Sequence, residues 1–217
     1  MKQTLMVKLS PRAGQHKALL QTMERFNEGC NYASRDSFDS KTFGQLYLHH
    51  RVYRYLREHY GLSAQMAVRA IAKVSESYKA DKKTGHTFKP HSAMVYDQRI
   101  LSWKGLDKVS ILTLEGRQIV PTRIGGYQAA RLDRKVRQSD LVLQDGLFYL
   151  AVVVDAPEPT TSDPTGYLGV DLGIVNIAAD SDGFTYSGGQ VNGLRKRQAK
   201  LRGKLQSKDT KATKRLL

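Results

Sequence analysis

Residues 167–183 read YLGVDLGIVNIAADSDG, and the role of the aspartate at position 171 decides the fold of everything around it. Tyr167–Leu172 has the apolar content of a strand, Gly173 permits a tight turn, and two more strands follow over Val175–Asp180 and Phe184–Ser187. Asp171 therefore falls at the end of an apolar strand, where a buried carboxylate is costly without a partner. A divalent cation supplies one. Mg2+ prefers carboxylate oxygen and retains several waters, and two-metal nucleases use such carboxylates to stabilise the attacking and leaving oxygens of a phosphodiester. The competing reading is an Asp that accepts backbone N–H groups in a turn next to glycine.

Toward the C-terminus the chain becomes helical and strongly basic from Val191. Leu194, Gln198, Leu201 and Leu205 make a narrow apolar seam, and residues 191–217 hold ten basic residues against one acidic, Asp209. Arg195, Lys196, Arg197, Lys200, Arg202 and Lys204 are the leading candidates for phosphate contact. A merely solvated helix face is the ordinary alternative.

On the N-terminal side, Ala156–Pro164 carries three prolines with Ser, Thr and acidic residues, so 156–165 reads as a linker. Before it, Asp145-Gly146 suits a type I′ turn between strands at Asp140–Gln144 and Leu147–Asp155. Val109–Leu114 and Arg117–Val120 make a second hairpin. A barrel is the natural way to bury several short strands. Lys2–Leu9 alternates, with Leu5, Val7 and Leu9 on one face, and this early strand joins the same barrel. Between lie three helices: one begun by Ser10-Pro11, one over Thr42–Tyr60 ended by Gly61, and one capped by Ser63 with Met66, Ala67, Ala70, Ile71, Val74 and Tyr78 on one stripe. The predicted boundaries are 1–10 for the first strand, 11–79 for the helical unit, 80–155 for the barrel, 156–165 for the linker and 166–217 for the last module.

Two basic clusters in the first half are further nucleic-acid candidates. Arg51, Tyr53 and Arg54, with Tyr55 and Arg57, interleave rings that stack on bases with guanidinium groups that hold phosphates; simple packing of the tyrosines is the alternative. Lys82 and Lys83, with Lys79 and Lys89, sit in a polar connector. His49, His50 and His59 lack a matching ligand set and read as surface or stacking residues.

The chain has 217 residues and a net charge of +15, which favours a polyanionic partner. One cysteine, Cys30, excludes an internal disulfide framework and a cysteine-pair zinc site, and it falls on an apolar helix stripe as a packing residue. No segment approaches the roughly 20 apolar residues that span a bilayer, and Met1–Arg12 has no apolar signal core. A soluble intracellular chain is expected, with no membrane partner.

The 167–183 stretch followed by Leu-Arg-Lys-Arg-Gln-Ala-Lys-Leu-Arg (194–202) resembles the start of the RuvC nuclease domain in TnpB. TnpB proteins are OrfB products of insertion sequences and relatives of type V CRISPR effectors. The order of parts is similar too: a β-barrel wedge domain interrupted by a helical recognition domain, a linker, then RuvC. The fold class implied is α+β, a β-barrel wedge domain with an inserted three-helix recognition unit, followed by the first strands and basic helix of an incomplete RNase H-like (RuvC) domain. On this resemblance Asp171 is the first catalytic carboxylate and a Mg2+ ligand, and the partners are a guide RNA and target DNA, with sequence read by guide pairing. The family also needs a Glu and a second Asp downstream, and the chain ends at Leu217. RNA-guided DNA cleavage is therefore not expected of this polypeptide alone, and the strand edge at Tyr167–Leu172 is expected to lack a neighbour. The other readings are a guide-dependent DNA-binding repressor and a standalone basic RNA-binding module. An actin-like or sugar-kinase ATPase is disfavoured, because Ile174 stands where that phosphate loop carries Thr or Ser.

Overall fold

The computed structural model describes residues 1–132, 138–158, 164–208 and 210. They fall into two units, Met1–Glu158 and Pro159–Leu217. In the first, β1 (Lys2–Leu9) is followed by α1 (Ala13–Asp39), α2 (Gln45–Tyr60), α3 (Ala64–Ala80), β2 (Met94–Asp97), β3 (Leu101–Lys104), β4 (Lys108–Thr113), β5 (Gly116–Arg123), α4 (Gly126–Leu132), β6 (Gln138–Gln144) and β7 (Leu147–Asp155).

All seven strands join one antiparallel sheet in the order β2-β6-β7-β1-β5-β4-β3. The alternation seen in the sequence is the burial pattern: Leu5, Val7 and Leu9 of β1 and Phe148, Leu150, Val152 and Val154 of β7 are buried, and the residues between them are not. The two edge strands, β2 and β3, are separated by a three-residue turn. Across it Tyr96 donates its hydroxyl to the Leu112 carbonyl at 3.0 Å, and Leu112 N–H donates to the Ile100 carbonyl at 2.8 Å. These bonds curl the sheet into a nearly closed barrel, so the protein is α+β, with a barrel-like antiparallel sheet and, among the described residues, five helices over both units. Asp145 and Gly146 adopt φ of 51° and 74°, both left-handed, as a two-residue type I′ turn requires. Two short strands, β2 and β3, and the helix α4 were not individually legible in the sequence.

The three helices are inserted between β1, at the middle of the sheet, and β2, at its edge. The first begins at Ala13 rather than at Pro11, because Ser10 is still held by the sheet: its N–H donates to the Pro121 carbonyl at 2.8 Å. Arg12 is the N-cap, its backbone N–H donating to Gln15 Oε1 at 3.0 Å. The second helix begins at Gln45, not Thr42, since Thr42 N–H closes the turn after α1 on the Ser37 carbonyl. Its end is as expected, with Gly61 at φ 65°, and Ser63 Oγ caps α3 by accepting from Met66 N–H at 3.3 Å. Leu19, Met23, Phe26, Cys30 and Ala33 of α1 and the expected α3 stripe are buried. Burial pushes the Cys30 thiol up to about 12, which makes it a packing residue. By contrast α2 buries only Leu48, Val52 and Leu56. Among the described residues no helix is long and apolar enough to cross a membrane.

The connector that returns the chain to the barrel is laced to α1 by side chains. Asn27, fully buried, donates its amide to the carbonyls of Met23, Pro90 and Ser92 at 2.8–3.0 Å and accepts from Lys73 Nζ of α3 at 2.9 Å. One turn on, Asn31 exchanges two bonds with the backbone of Phe88, at 2.9 and 2.7 Å. Ser34 Oγ then donates to the His86 carbonyl at 2.6 Å. Lys73 is held at the node by Asn27, the Ala93 carbonyl and the faces of Phe26 and Phe88. Burial lowers its pKa.

In the second unit, β8 (Val170–Leu172), β9 (Asn176–Asp180) and β10 (Thr185–Ser187) form an antiparallel sheet in the order β10-β9-β8, and α5 (Gly189–Lys208) follows. The expected linker residues 159–163 lie outside the described residues, as does Asp209. Ala156 remains in the first unit, exchanging two 2.8–2.9 Å bonds with Met1.

Replacing Asn27 by Ala is expected to lower the unfolding free energy by about 2–4 kcal/mol, because the half-buried Lys73 loses an acceptor and the Pro90 and Ser92 carbonyls lose their donor. Urea unfolding measures the loss; a change within about 0.5 kcal/mol would contradict this role for the node.

Candidate nucleic-acid interface and carboxylate site

Asp171 lies in the middle of β8, opposite Ala179 of β9. It is exposed, and among the described residues its carboxylate has no hydrogen-bond or ion-pair partner, so it is not consumed in a turn. The turn that follows is made by Gly173, where a Cβ would come within 2.9 Å of the Asn176 carbonyl oxygen. Asp180 pairs with Val170, so by strand alternation it projects from the opposite face to Asp171. Its own carboxylate organises the next turn, accepting from the N–H groups of Asp182 and Phe184 at 3.1 and 2.9 Å. The two carboxylates do not converge, and no group of three His, Cys, Asp or Glu able to hold a metal occurs among the described residues. Asp171 has the donor chemistry of one Mg2+ ligand; by itself it does not make a two-metal centre.

On its free side β8 has no strand neighbour among the described residues. Apolar side chains around it are exposed, including Tyr167, Leu172 and Ile174 at 89%, 76% and 83%. An uncovered apolar edge of this kind is a pairing and aggregation hazard.

The six basic candidates of α5 are all exposed. The helix has no Asp or Glu, buries no residue, and forms no ion pair among the described residues. Lys196, Lys200 and Lys204 repeat at i,i+4, and each like-charge pair at that spacing destabilises a helix by roughly 0.2–0.5 kcal/mol. Phosphate groups relieve that repulsion, which gives the helix a physical reason to bind them.

The α2 cluster is arranged differently. Arg51 is forked onto Asp36 of α1, its Nε and Nη2 at 2.8 and 2.9 Å from the two carboxylate oxygens. Arg54 pairs with Glu58 at 2.7 Å while staying 89% exposed. Tyr53 stacks on His49 with ring centroids 4.4 Å apart, and its hydroxyl accepts from Arg57 at 3.3 Å. These side chains share the outward part of one helix, but two of the three guanidinium groups already hold carboxylates. Lys82 and Lys83 are exposed after α3; the Lys82 ammonium lies 5.9 Å from the Phe43 ring centroid, and Lys83 N–H donates to Asp81 Oδ1 at 2.7 Å.

Two features escaped sequence reading. The first is a groove of about 620 Å3 beside α3, lined by Arg69, Lys73, Glu76, Phe88, Val95 and Gln138. Its only sequence signal is a pair of cations one turn apart on a helix otherwise read as apolar. The second is the clasp that positions the groove. Asp97 at the end of β2 is 8% exposed. Its Oδ2 accepts from Gln65 Nε2 and from Arg69 Nε at 2.8 Å, and its Oδ1 accepts from Arg99 N–H at 3.0 Å. Burial raises the carboxyl pKa, but the bonds from Arg69, Arg99 and Gln65 outweigh it and hold the group below its ordinary value.

Comparison with known proteins gives no matching family model and no matching curated relative.

A lowered folded pKa means that ionised Asp97 stabilises the fold above the ordinary carboxylate range. The contribution shrinks as pH falls below about 4 and vanishes once pH is under the lowered value. Asp97→Asn is expected to cost about 2 kcal/mol at neutral pH and to converge with the parent chain in acid. Unfolding curves across pH check this; a deficit independent of pH would contradict it.

Proposed function

We propose that this chain is the nucleic-acid-binding part of a TnpB-like RNA-guided DNA endonuclease, engaging a guide RNA and target DNA without cutting DNA by itself. The observation that carries the reading is the succession in the second unit. Asp171, whose carboxylate has no partner among the described residues, stands inside a short antiparallel sheet, and a helix with seven basic and no acidic residues follows it. A barrel interrupted by three helices earlier in the chain is compatible with a wedge domain carrying a recognition insertion, and this supports the same reading.

In this reading the sheet β10-β9-β8 is the opening of an RNase H-like (RuvC) fold. The exposed edge of β8 is where further strands pair, and Asp171 is the first carboxylate of its metal site. Mg2+ would supply electrostatic stabilisation of the phosphodiester oxygens. This chain's own contribution is one oxygen donor at a fixed strand position, and a single ligand does not orient two cations. Sequence is read by pairing with the guide, while the protein contributes phosphate contacts chiefly through α5. Of the candidate residues in the first unit, Lys82, Lys83 and the outward side of α2 remain open to a polyanion.

Changing Arg195, Lys196, Arg197, Lys200, Arg202 and Lys204 together to Gln is expected to weaken binding to structured RNA. The slope of log affinity against log salt is expected to fall by about 4, at roughly 0.7 for each phosphate that the helix no longer neutralises. An unchanged slope would remove α5 from the interface. Asp171→Ala is expected to leave that affinity within about twofold, since an exposed carboxylate without partners contributes no phosphate contact. Incubation of the 217-residue chain with guide RNA, target DNA and Mg2+ is expected to give no cleavage; metal-dependent products that disappear in Asp171→Ala would contradict the inactive part of the reading.

A further inference from the structure

Three rings form a column along the seam between α1 and α2. Tyr32 and Tyr55 stack with centroids 4.1 Å apart and planes 12° from parallel, and His59 stacks on Tyr55 at 3.7 Å and 10°. The column follows from register. Arg51, Tyr55 and His59 are spaced one turn apart on α2, and Asp36 and Tyr32 one turn apart on α1. The two antiparallel helices therefore meet in matched layers, with the Arg51–Asp36 fork first and the Tyr32–Tyr55 pair next. His59 comes last on α2. Gly29 lets the helices approach, since a Cβ there would come within 3.1 Å of Leu56 and 3.3 Å of Leu62.

Helix packing accounts for Tyr32 and Tyr55 but not for His59, which is exposed. Its ring is held parallel to Tyr55, with Nδ1 3.3 Å from the Tyr55 carbonyl oxygen. No other ring stacks on it among the described residues. A flat π-face is thus held at the end of a stack on the surface of a basic helix. The helix carries Arg51, Arg54 and Arg57 against Glu58 alone, and Arg57 has no carboxylate partner among the described residues. Unpaired bases match both properties: every base has a π-face that stacks on aromatic side chains, and the phosphates beside it are drawn to the arginines. An acidic peptide would use the arginines but not the column, and a paired base offers no free face.

We propose that the outer face of His59 binds an unpaired nucleobase of single-stranded RNA or DNA as the fourth ring of the Tyr32–Tyr55–His59 column. This rests on the nucleic-acid-binding reading above and adds to it a stacking site for one extruded or single-stranded base.

The test uses the full chain with short oligoribonucleotides and oligodeoxyribonucleotides carrying 2-aminopurine, whose fluorescence is quenched on stacking. Binding is expected to quench the probe. His59→Leu, which covers Tyr55 with a non-planar group, is expected to abolish the quenching and weaken single-strand binding about tenfold. His59→Trp is expected to deepen the quenching and tighten binding. Affinity for a duplex is expected to be unchanged in both variants. Quenching in only the RNA or only the DNA arm supports the site and identifies the strand it takes. Binding with fluorescence indifferent to both substitutions would overturn the site while leaving nucleic-acid binding intact. Absence of any binding by the parent chain would overturn both.

Discussion

Three polar side chains on one face of α1 govern how the first unit closes. Asn27, Asn31 and Ser34 bond the backbone of Pro90, Ser92, Phe88 and His86, a segment without helix or strand of its own. Buried backbone groups need partners, and this stretch finds them on a helix rather than in a sheet. The consequence is topological. The helical insertion leaves the sheet at its central strand and must return the chain at an edge, where β2 pairs with β6. Holding the connector against α1 fixes that return and delivers Asp97 to Arg69. The Lys73 ammonium at the same node then sets one wall of the groove beside α3. The barrel and the helices are in this way one unit rather than two.

The broad plan was legible because it rests on local rules. Alternation gave away β1, the Asp145-Gly146 pair marked its hairpin, and Gly61 and Ser63 punctuated the helices where expected. What was not legible depends on distant partners. Nothing in Ser10-Pro11 says that Ser10 is bonded to Pro121, so the start of α1 was displaced to Ala13. Four-residue strands such as β2 carry too few residues for periodicity to speak. The bonds of the polar ladder on α1, where Asn27 and Ser34 are buried, were not legible, because its acceptors lie on a segment more than fifty residues away.

The candidate site was legible to the same degree. The strand around Asp171 and the basic helix after it were visible in the sequence, since each is a local pattern. The state of the arginines on α2 was not. Arg51 and Arg54 have the composition of a phosphate-binding cluster, yet one is forked onto Asp36 and the other pairs with Glu58. Their contribution to a polyanion is reduced by those carboxylates, whereas α5 has no internal acid to spend its charge on. The seam that pairs Arg51 with Asp36 also stacks Tyr32 on Tyr55, so what α2 offers in the proposed function is rings as much as charge.

The proposed function requires that the acid-free helix and the ring-bearing face of α2 each contact nucleic acid. Ultraviolet cross-linking of the whole chain to bound RNA, read by peptide mass spectrometry, measures this directly. Adducts are expected within Gly189–Lys208 and within Gln45–Tyr60. Adducts absent from both, or confined to the strands of the barrel, would contradict it.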